Sequence, residues 1–259
     1  MADADALRDA GPSGLPSSEP PAPQVTADSS VMTLVDHLSE LRWRIVKSIL
    51  AVALGGVLGF LASEQVIALL VAPIPNDQPL IFTGLGDAFA IRLKIAVVIG
   101  IILAMPVLLF QAWRFIAPGL TAQERRTVRP WIPLALFFFA LGVSIAYIVL
   151  PFAASFLLSF TTPDLQPLIS AGSYFDFVTT MFLAFGLVME FPIILYALSR
   201  VGIATSARLA ALRGYVIIAI AIFAVVVTPG GDLVSPFVLG GTMYVLFELT
   251  LFVIKRTGK

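Results

Sequence analysis

The chain has 259 residues, 59% of them hydrophobic and only 12% charged, with a mean hydropathy of +0.98, and that balance excludes a water-soluble domain. Sixteen basic and sixteen acidic residues cancel, so total charge selects no partner and no nucleic acid is expected; what informs is where the charges fall. Cysteine is absent and His37 is the lone histidine, which excludes disulfides, CxxC redox chemistry, thiolate or multi-histidine metal sites and a zinc-binding HExxH.

Residues 1–31 are rich in Ala, Pro, Ser and Asp, with Pro12, Pro16, Pro20, Pro21 and Pro23 spread through them, and read as a disordered cytoplasmic tail. The segment lacks the basic start, apolar centre and small-residue cleavage site of a secretory signal. Residues 32–259 form the membrane domain. Thr33 is expected to cap a helix, with Asp36 three residues on. An apolar stripe of Val31, Leu34, Val35, Leu38, Leu41 and Ile45 predicts a short helix along the cytoplasmic face, before a turn into the first span.

Six apolar blocks follow: 44–62, 89–115, 131–156, 174–199, 215–228 and 236–254. Each is long enough, or nearly so, to cross a hydrocarbon core of about 30 Å at about 1.5 Å per residue. Fourteen of the sixteen basic residues precede or open the first block, lie in or at the edge of alternate gaps, or follow the last block. They are Arg8, Arg42, Arg44 and Lys47, then Arg114, Arg125, Arg126 and Arg129, then Arg200, Arg208 and Arg213, then Lys255, Arg256 and Lys259. The positive-inside bias therefore predicts an all-α protein of the cell membrane with six spans and both termini cytoplasmic. The exceptions, Arg92 and Lys94, open the second span on the outer side, where long stems lift the charge to the interface.

Pro73, Pro75 and Pro79 make the first outer gap turn-rich, and Pro106 and Pro151 can kink the second and third spans, predicting a concave bundle. The fifth block offers about 14 residues between Gly214 and Pro229, roughly 21 Å of helix. Short fifth and sixth helices joined by a tight turn at Gly230 and Gly231 would thin the bilayer locally.

Glu190 lies near mid-membrane, where an ionisable group costs on the order of 3 kcal/mol and must face protein, water or a partner. Pro192 cannot donate to the Val188 carbonyl, which leaves another polar group at that level. Two readings stand: a carboxyl satisfied inside the bundle, or a polar docking point. Glu248, nearer the inner interface, has the same alternatives. Glu40 and Arg44 are spaced for a helical ion pair, and Thr121 with Glu124 for a capping box, which leaves the carboxylate's remaining lone pairs available. Gly84 to Asp87 reads GLGD, the GxGD of intramembrane aspartyl proteases, but it sits at the outer edge before the second span, and no second aspartate in a Tyr-Asp pair lies inside a span to share a proton with it. GxSxG and GxxxxGK[ST] are both absent.

Six ordered motifs resemble the TatC family, the multispanning receptor of the twin-arginine protein translocase. They are HLSELRWR at His37–Arg44, the run from Pro106 through Gln111, Trp113, Phe115, Pro118, Gly119 and Leu120 to Glu124, Arg125 and Arg126, SYFDF at Ser173–Phe177, FGLVMEFP at Phe185–Pro192, TPGGDLVS at Thr228–Ser235, and LFE at Leu246–Glu248. The resemblance runs from about Thr33 to the C-terminus. It implies a non-enzymatic receptor without cofactor or metal, which binds twin-arginine signal peptides of folded precursor proteins. Small single-span partners of the TatA/TatB type, membrane lipids and homo- and hetero-oligomers are implied with it, as is export driven by the proton gradient.

Carried over by position, Glu40 and Glu124 are the acidic recognition residues, with Arg42, Phe115, Pro118 and Leu120 shaping the same patch. Glu190, Glu248 and Thr228 are intramembrane polar candidates for partner docking, and Asp87 and Asp232 are outer-loop candidates. Two departures stand out: Leu85, Gly86 and Asp87 replace the family's usual Pro-x-Glu, and Met189 stands where an aromatic often precedes the glutamate. The alternative is a proton-coupled small-molecule transporter using Glu190, which would need a second half related by an internal repeat that the chain does not show.

Overall fold

A computed structural model describes residues 34–74, 79–119, 121, 123, 125–126, 130–162, 164, 168–200, 202 and 204–256. Two compact units divide the chain, residues 1–38 and 39–259; the first is described only over the opening turn of a helix. The proposed tail and Thr33 lie outside the described residues, and so does the side chain of Asp36.

Helix α1, Leu34–Leu61, is 28 residues long and uninterrupted. The expected short helix with a turn before the first span is therefore corrected. The segment contains no proline, and its amphipathic opening passes directly into the apolar run, so nothing stops the hydrogen-bond ladder. Helix α2, Ser63–Val71, follows after Ala62. Helix α3, Asp87–Ile116, and helix α4, Trp131–Leu158, carry Pro106 and Pro151 within unbroken helical assignments. A single 3-10 turn, Ala117–Gly119, extends α3.

The fourth apolar block is two helices, α5 (Ala171–Val188) and α6 (Phe191–Arg200), separated at Met189 and Glu190. Pro192 contributes to the break: it has no N–H for the Val188 carbonyl, and the ladder restarts with Ile193 and Ile194 donating to the Glu190 carbonyl at 3.1 and 3.2 Å. Helix α7, Ser206–Ala211, is capped by the Thr205 hydroxyl and leads into α8, Arg213–Val227. Gly230 (φ +99°) and Gly231 (φ +70°) then turn the chain through left-handed conformations that L side chains avoid.

Helix α9, Val234–Arg256, has 23 residues, about 34 Å, so the sixth helix is not short. Pro236 falls in its first turn, where an N–H has no helical partner to lose, and Lys255 and Arg256 suit its C-terminus, so the helix outruns the apolar block at both ends. The fifth apolar helix, α8, is short as expected, with 15 residues. Among the described residues, five helical stretches are long and apolar enough to cross a membrane: His37–Leu61, Asp87–Gly119, Trp131–Leu158, Ala171–Arg200 and Val234–Arg256.

The unit 39–259 is an all-α bundle in which α4 packs on α5, α8 on α9, α9 on α6 and α4, and α3 on α5 and α4. Its core runs through Ile95, Leu150, Val178, Met181, Phe185, Leu239, Phe247 and Leu251, all almost fully buried. Leu54, Leu58, Ile148, Phe152, Ile222 and Val225 face outward, as lipid-facing positions do. Because lipid is as apolar as leucine, helix contact here rests on close fit between small residues. A Cβ added at Gly100 would sit 2.6 Å from the Val52 carbonyl oxygen, and one at Gly55 would sit 2.8 Å from the Gly100 carbonyl oxygen. Gly100→Leu is therefore expected to separate α1 from α3 and cost about 1 to 3 kcal/mol, seen as a lower unfolding temperature in detergent.

At the end of the bundle where α3 and α5 begin, Ile81 bridges the loop before α5, its N–H donating to the Ile169 carbonyl (2.9 Å) and its carbonyl accepting from Ala171 (2.8 Å). The Tyr174 hydroxyl donates to the Leu70 carbonyl at 2.5 Å, tying α5 to α2.

Candidate functional site

Glu40 and Arg42 stand near the start of α1, and Phe115 and Pro118 at the end of α3 and in its 3-10 turn. The glycine contacts set how these elements meet. Position 55 meets 100 and position 59 meets 96, so α1 and α3 run antiparallel. Glu40 lies fifteen positions before Gly55, and Phe115 fifteen after Gly100, which is about 22 Å of helix in each case. Glu40 and Phe115 are therefore level, at the same end of the bundle.

Glu40 accepts a hydrogen bond and ion pair from Arg44 one turn on, with the two side chains 24% and 12% exposed. Arg42 projects into the open and Phe115 is half-buried. Glu124 and Leu120, expected in the same patch, lie outside the described residues. Beside them, Arg125 folds back so that its guanidinium donates to the Ala117 carbonyl (2.8 and 3.2 Å), which pins the loop against the end of α3. The Arg125 N–H donates to the Thr121 carbonyl at 2.9 Å, one helical turn.

A second polar point lies at the break between α5 and α6. Glu190 is 5% exposed, and its Oε1 has no hydrogen-bond partner among the described residues. Beside the break, between α5, α6 and α8, runs an apolar groove of about 460 Å3 walled by Leu187, Val188, Phe191, Ile220 and Phe223. Glu190 is not itself a lining residue, although its neighbour Phe191 is.

Glu248 is paired: Arg213 at the start of α8 donates to its Oε2 at 2.7 Å, and the Tyr244 hydroxyl reaches its Oε1 at 3.4 Å. The Thr228 hydroxyl donates to the Ala224 carbonyl of its own helix (2.7 Å) and is buried. Asp87 turns its carboxylate onto its own loop, accepting from the Thr83 and Gly84 N–H groups at 2.8 and 2.7 Å and from the Thr83 hydroxyl. Asp232 is 3% exposed and caps α9 by accepting the Ser235 N–H at 2.6 Å. Asp232→Ala is expected to cost about 1 kcal/mol in thermal unfolding, and Asp232→Asn, which caps as well, only a few tenths.

The sequence pattern did not reveal three groups of contacts. Lys94 of α3 pairs with Asp176 of α5 across 82 positions of sequence, where its position in the sequence predicts only a charge lifted to the interface. Trp131 stacks on Tyr196 at 3.9 Å, and the Arg200 guanidinium lies 4.9 Å over the same tyrosine ring. Arg213 with Glu248 is the third. Opposite charges within apolar blocks were the available signal, since such groups pair with one another, but spacing alone does not say which meet.

The sequence and the fold of this chain have counterparts in known proteins. The family model described as Sec-independent protein translocase protein (TatC) matches residues 36–241. The Sec-independent protein translocase protein TatC of Carboxydothermus hydrogenoformans is 34% identical over 226 residues, covering 86% of this chain and 93% of that protein. Its counterpart in Aquifex aeolicus is 35% identical over 227 residues, covering 85% and 94%. A crystal structure of a twin-arginine translocase receptor, TatC, superposes with a TM-score of 0.74 at 34% identity, covering 84% of this chain and 99% of that one. Together with the five long apolar helices, these matches show that the chain belongs to the TatC family of Sec-independent protein translocase proteins.

Proposed function

We propose that this protein is the receptor and core subunit of a twin-arginine translocase: it binds twin-arginine signal peptides of folded precursors at its cytoplasmic face and organises small single-span partners for export driven by the proton gradient. The carrying observation is the level placement of Glu40 and Phe115, which sets a carboxylate and an aromatic face at one end of α1 and α3. A guanidinium is planar, permanently charged and matched to carboxylates, and two adjacent arginines ask for two acceptors, the roles given to Glu40 and Glu124. Phe115 offers its ring to the apolar segment of the signal, with Arg42, Pro118 and Leu120 around it.

In this reading α8 is the fifth of six spans and both termini are cytoplasmic. The bundle is concave, and it works as a homo- and hetero-oligomer. Glu190, at the break before Pro192, is the point where a partner helix docks, and the 15-residue α8 forms one wall of the neighbouring groove.

Because the chain has no cysteine, single cysteines introduced at Ser17, Thr83 and Thr257 report topology without background. Thr83 alone is expected to react with a membrane-impermeant thiol reagent in intact cells, and labelling of Ser17 or Thr257 would refute the orientation. Function is tested by export of a folded twin-arginine precursor from cells in which this chain replaces the resident receptor. Export is expected with arginine-pair precursors and not with lysine-pair ones.

A further inference from the structure

At the outer end, α2, the loop at 79–82, α3 and α5 enclose a groove of about 630 Å3 that none of the roles above uses. Ile74, Ile91 and Phe175, all buried, form its floor, and exposed Phe82 stands at its rim. The volume lies within the range of ordinary ligand clefts. Two charged side chains line it, Glu64 from the first turn of α2 and Arg92 from the second turn of α3. Both are exposed, and neither makes an ion pair with a described residue.

Three observations specify the occupant. The rim offers one cation and one anion on a single groove, so it complements a zwitterion and not a simple anion. Arg92 stands five residues, about 7 Å, into α3 from Asp87, where the helix passes from polar loop to apolar run, the depth of a headgroup. Phe82 is 61% exposed and Leu85 fully so on the adjoining loop, which suits a mouth that opens into the bilayer interface and not into water.

We infer that this groove holds a phosphatidylethanolamine of the outer leaflet, its phosphate on Arg92, its ammonium on Glu64 and an acyl chain along the apolar floor. A guanidinium pairs two-pronged with a phosphodiester. A primary ammonium donates hydrogen bonds to a carboxylate, which the trimethylated ammonium of phosphatidylcholine cannot do. Phosphatidylglycerol carries no cation and brings a net negative charge towards Glu64.

The test is lipid titration of the purified full chain in detergent, read by native mass spectrometry with dioleoyl phosphatidylethanolamine, phosphatidylcholine and phosphatidylglycerol. Retention of the first is expected to exceed the other two about tenfold, the equivalent of one charge-assisted hydrogen bond. Glu64→Gln is expected to remove the preference for the ethanolamine lipid, and Arg92→Gln to lower retention of all three. Equal retention of the three lipids by the wild-type chain would overturn the assignment without need of any variant, and so would an unchanged preference in both variants. A photo-crosslinker at Phe82 in native membranes should capture lipid; capture of a protein helix instead would give the groove to a different occupant.

Discussion

Alanine at Glu40 or at Glu124 is expected to weaken binding of a twin-arginine signal peptide by more than about 1.5 kcal/mol, the loss of one charge-assisted hydrogen bond. The binding change should stand apart from any change in stability. The Glu40–Arg44 pair is mostly buried, with side chains 24% and 12% exposed, so thermal unfolding of Glu40→Ala is measured beside binding, and the binding loss should exceed any change in stability. Arg44 has a further consequence. It already neutralises part of the Glu40 carboxylate, so an incoming guanidinium must share or displace it. Arg44→Ala is accordingly expected to preserve or tighten peptide binding, whereas Glu40→Ala loosens it. Peptide titration followed by fluorescence anisotropy distinguishes the two, and unchanged affinity in both glutamate variants would refute the site.

Glu190→Ala is expected to leave peptide binding unchanged while reducing copurification of the single-span partners and export several-fold. Its carboxylate is almost fully buried at the break between α5 and α6, and Oε1 has no partner among the described residues. An unsatisfied buried polar group costs about 1 to 3 kcal/mol, so a partner helix that supplied a donor there would gain that amount. Glu190→Gln keeps the shape and an accepting oxygen, and should fall between wild type and alanine. Loss of folded protein in the alanine variant, judged by size exclusion and thermal unfolding, would instead assign the carboxyl a structural role.

The long apolar helices were legible because a run of twenty apolar residues has few other stable outcomes, and the split in the fourth span was foreshadowed by Pro192 opposite the Val188 carbonyl. Pro106 and Pro151 carry the same chemistry, yet each lies in an unbroken helical assignment, so proline alone did not determine where the chain divides. The uninterrupted α1 was missed because an amphipathic opening and an apolar continuation look like two elements when only composition changes between them. The full length of α9 was missed because Ser235, Lys255 and Arg256 are polar, although each is acceptable at a helix end.

Motifs named Glu40, Phe115 and Glu190, but only packing could say what each meets. The level of Glu40 with Phe115 depends on Gly55 facing Gly100, and the pairing of Lys94 with Asp176 depends on α3 lying against α5. Asp87 and Asp232, read as outer-loop candidates, turn their carboxylates on backbone N–H groups, a use the sequence shares with many loop aspartates.

The receptor assignment is tested most directly by photo-crosslinking a twin-arginine signal peptide to this protein in membranes. Arginine-pair and lysine-pair peptides are compared on wild type and on the double variant Glu40→Ala, Glu124→Ala. Crosslinking that requires both the arginines and the two glutamates is the predicted result. A peptide that crosslinks equally well to the double variant, or never crosslinks at all, would contradict the account.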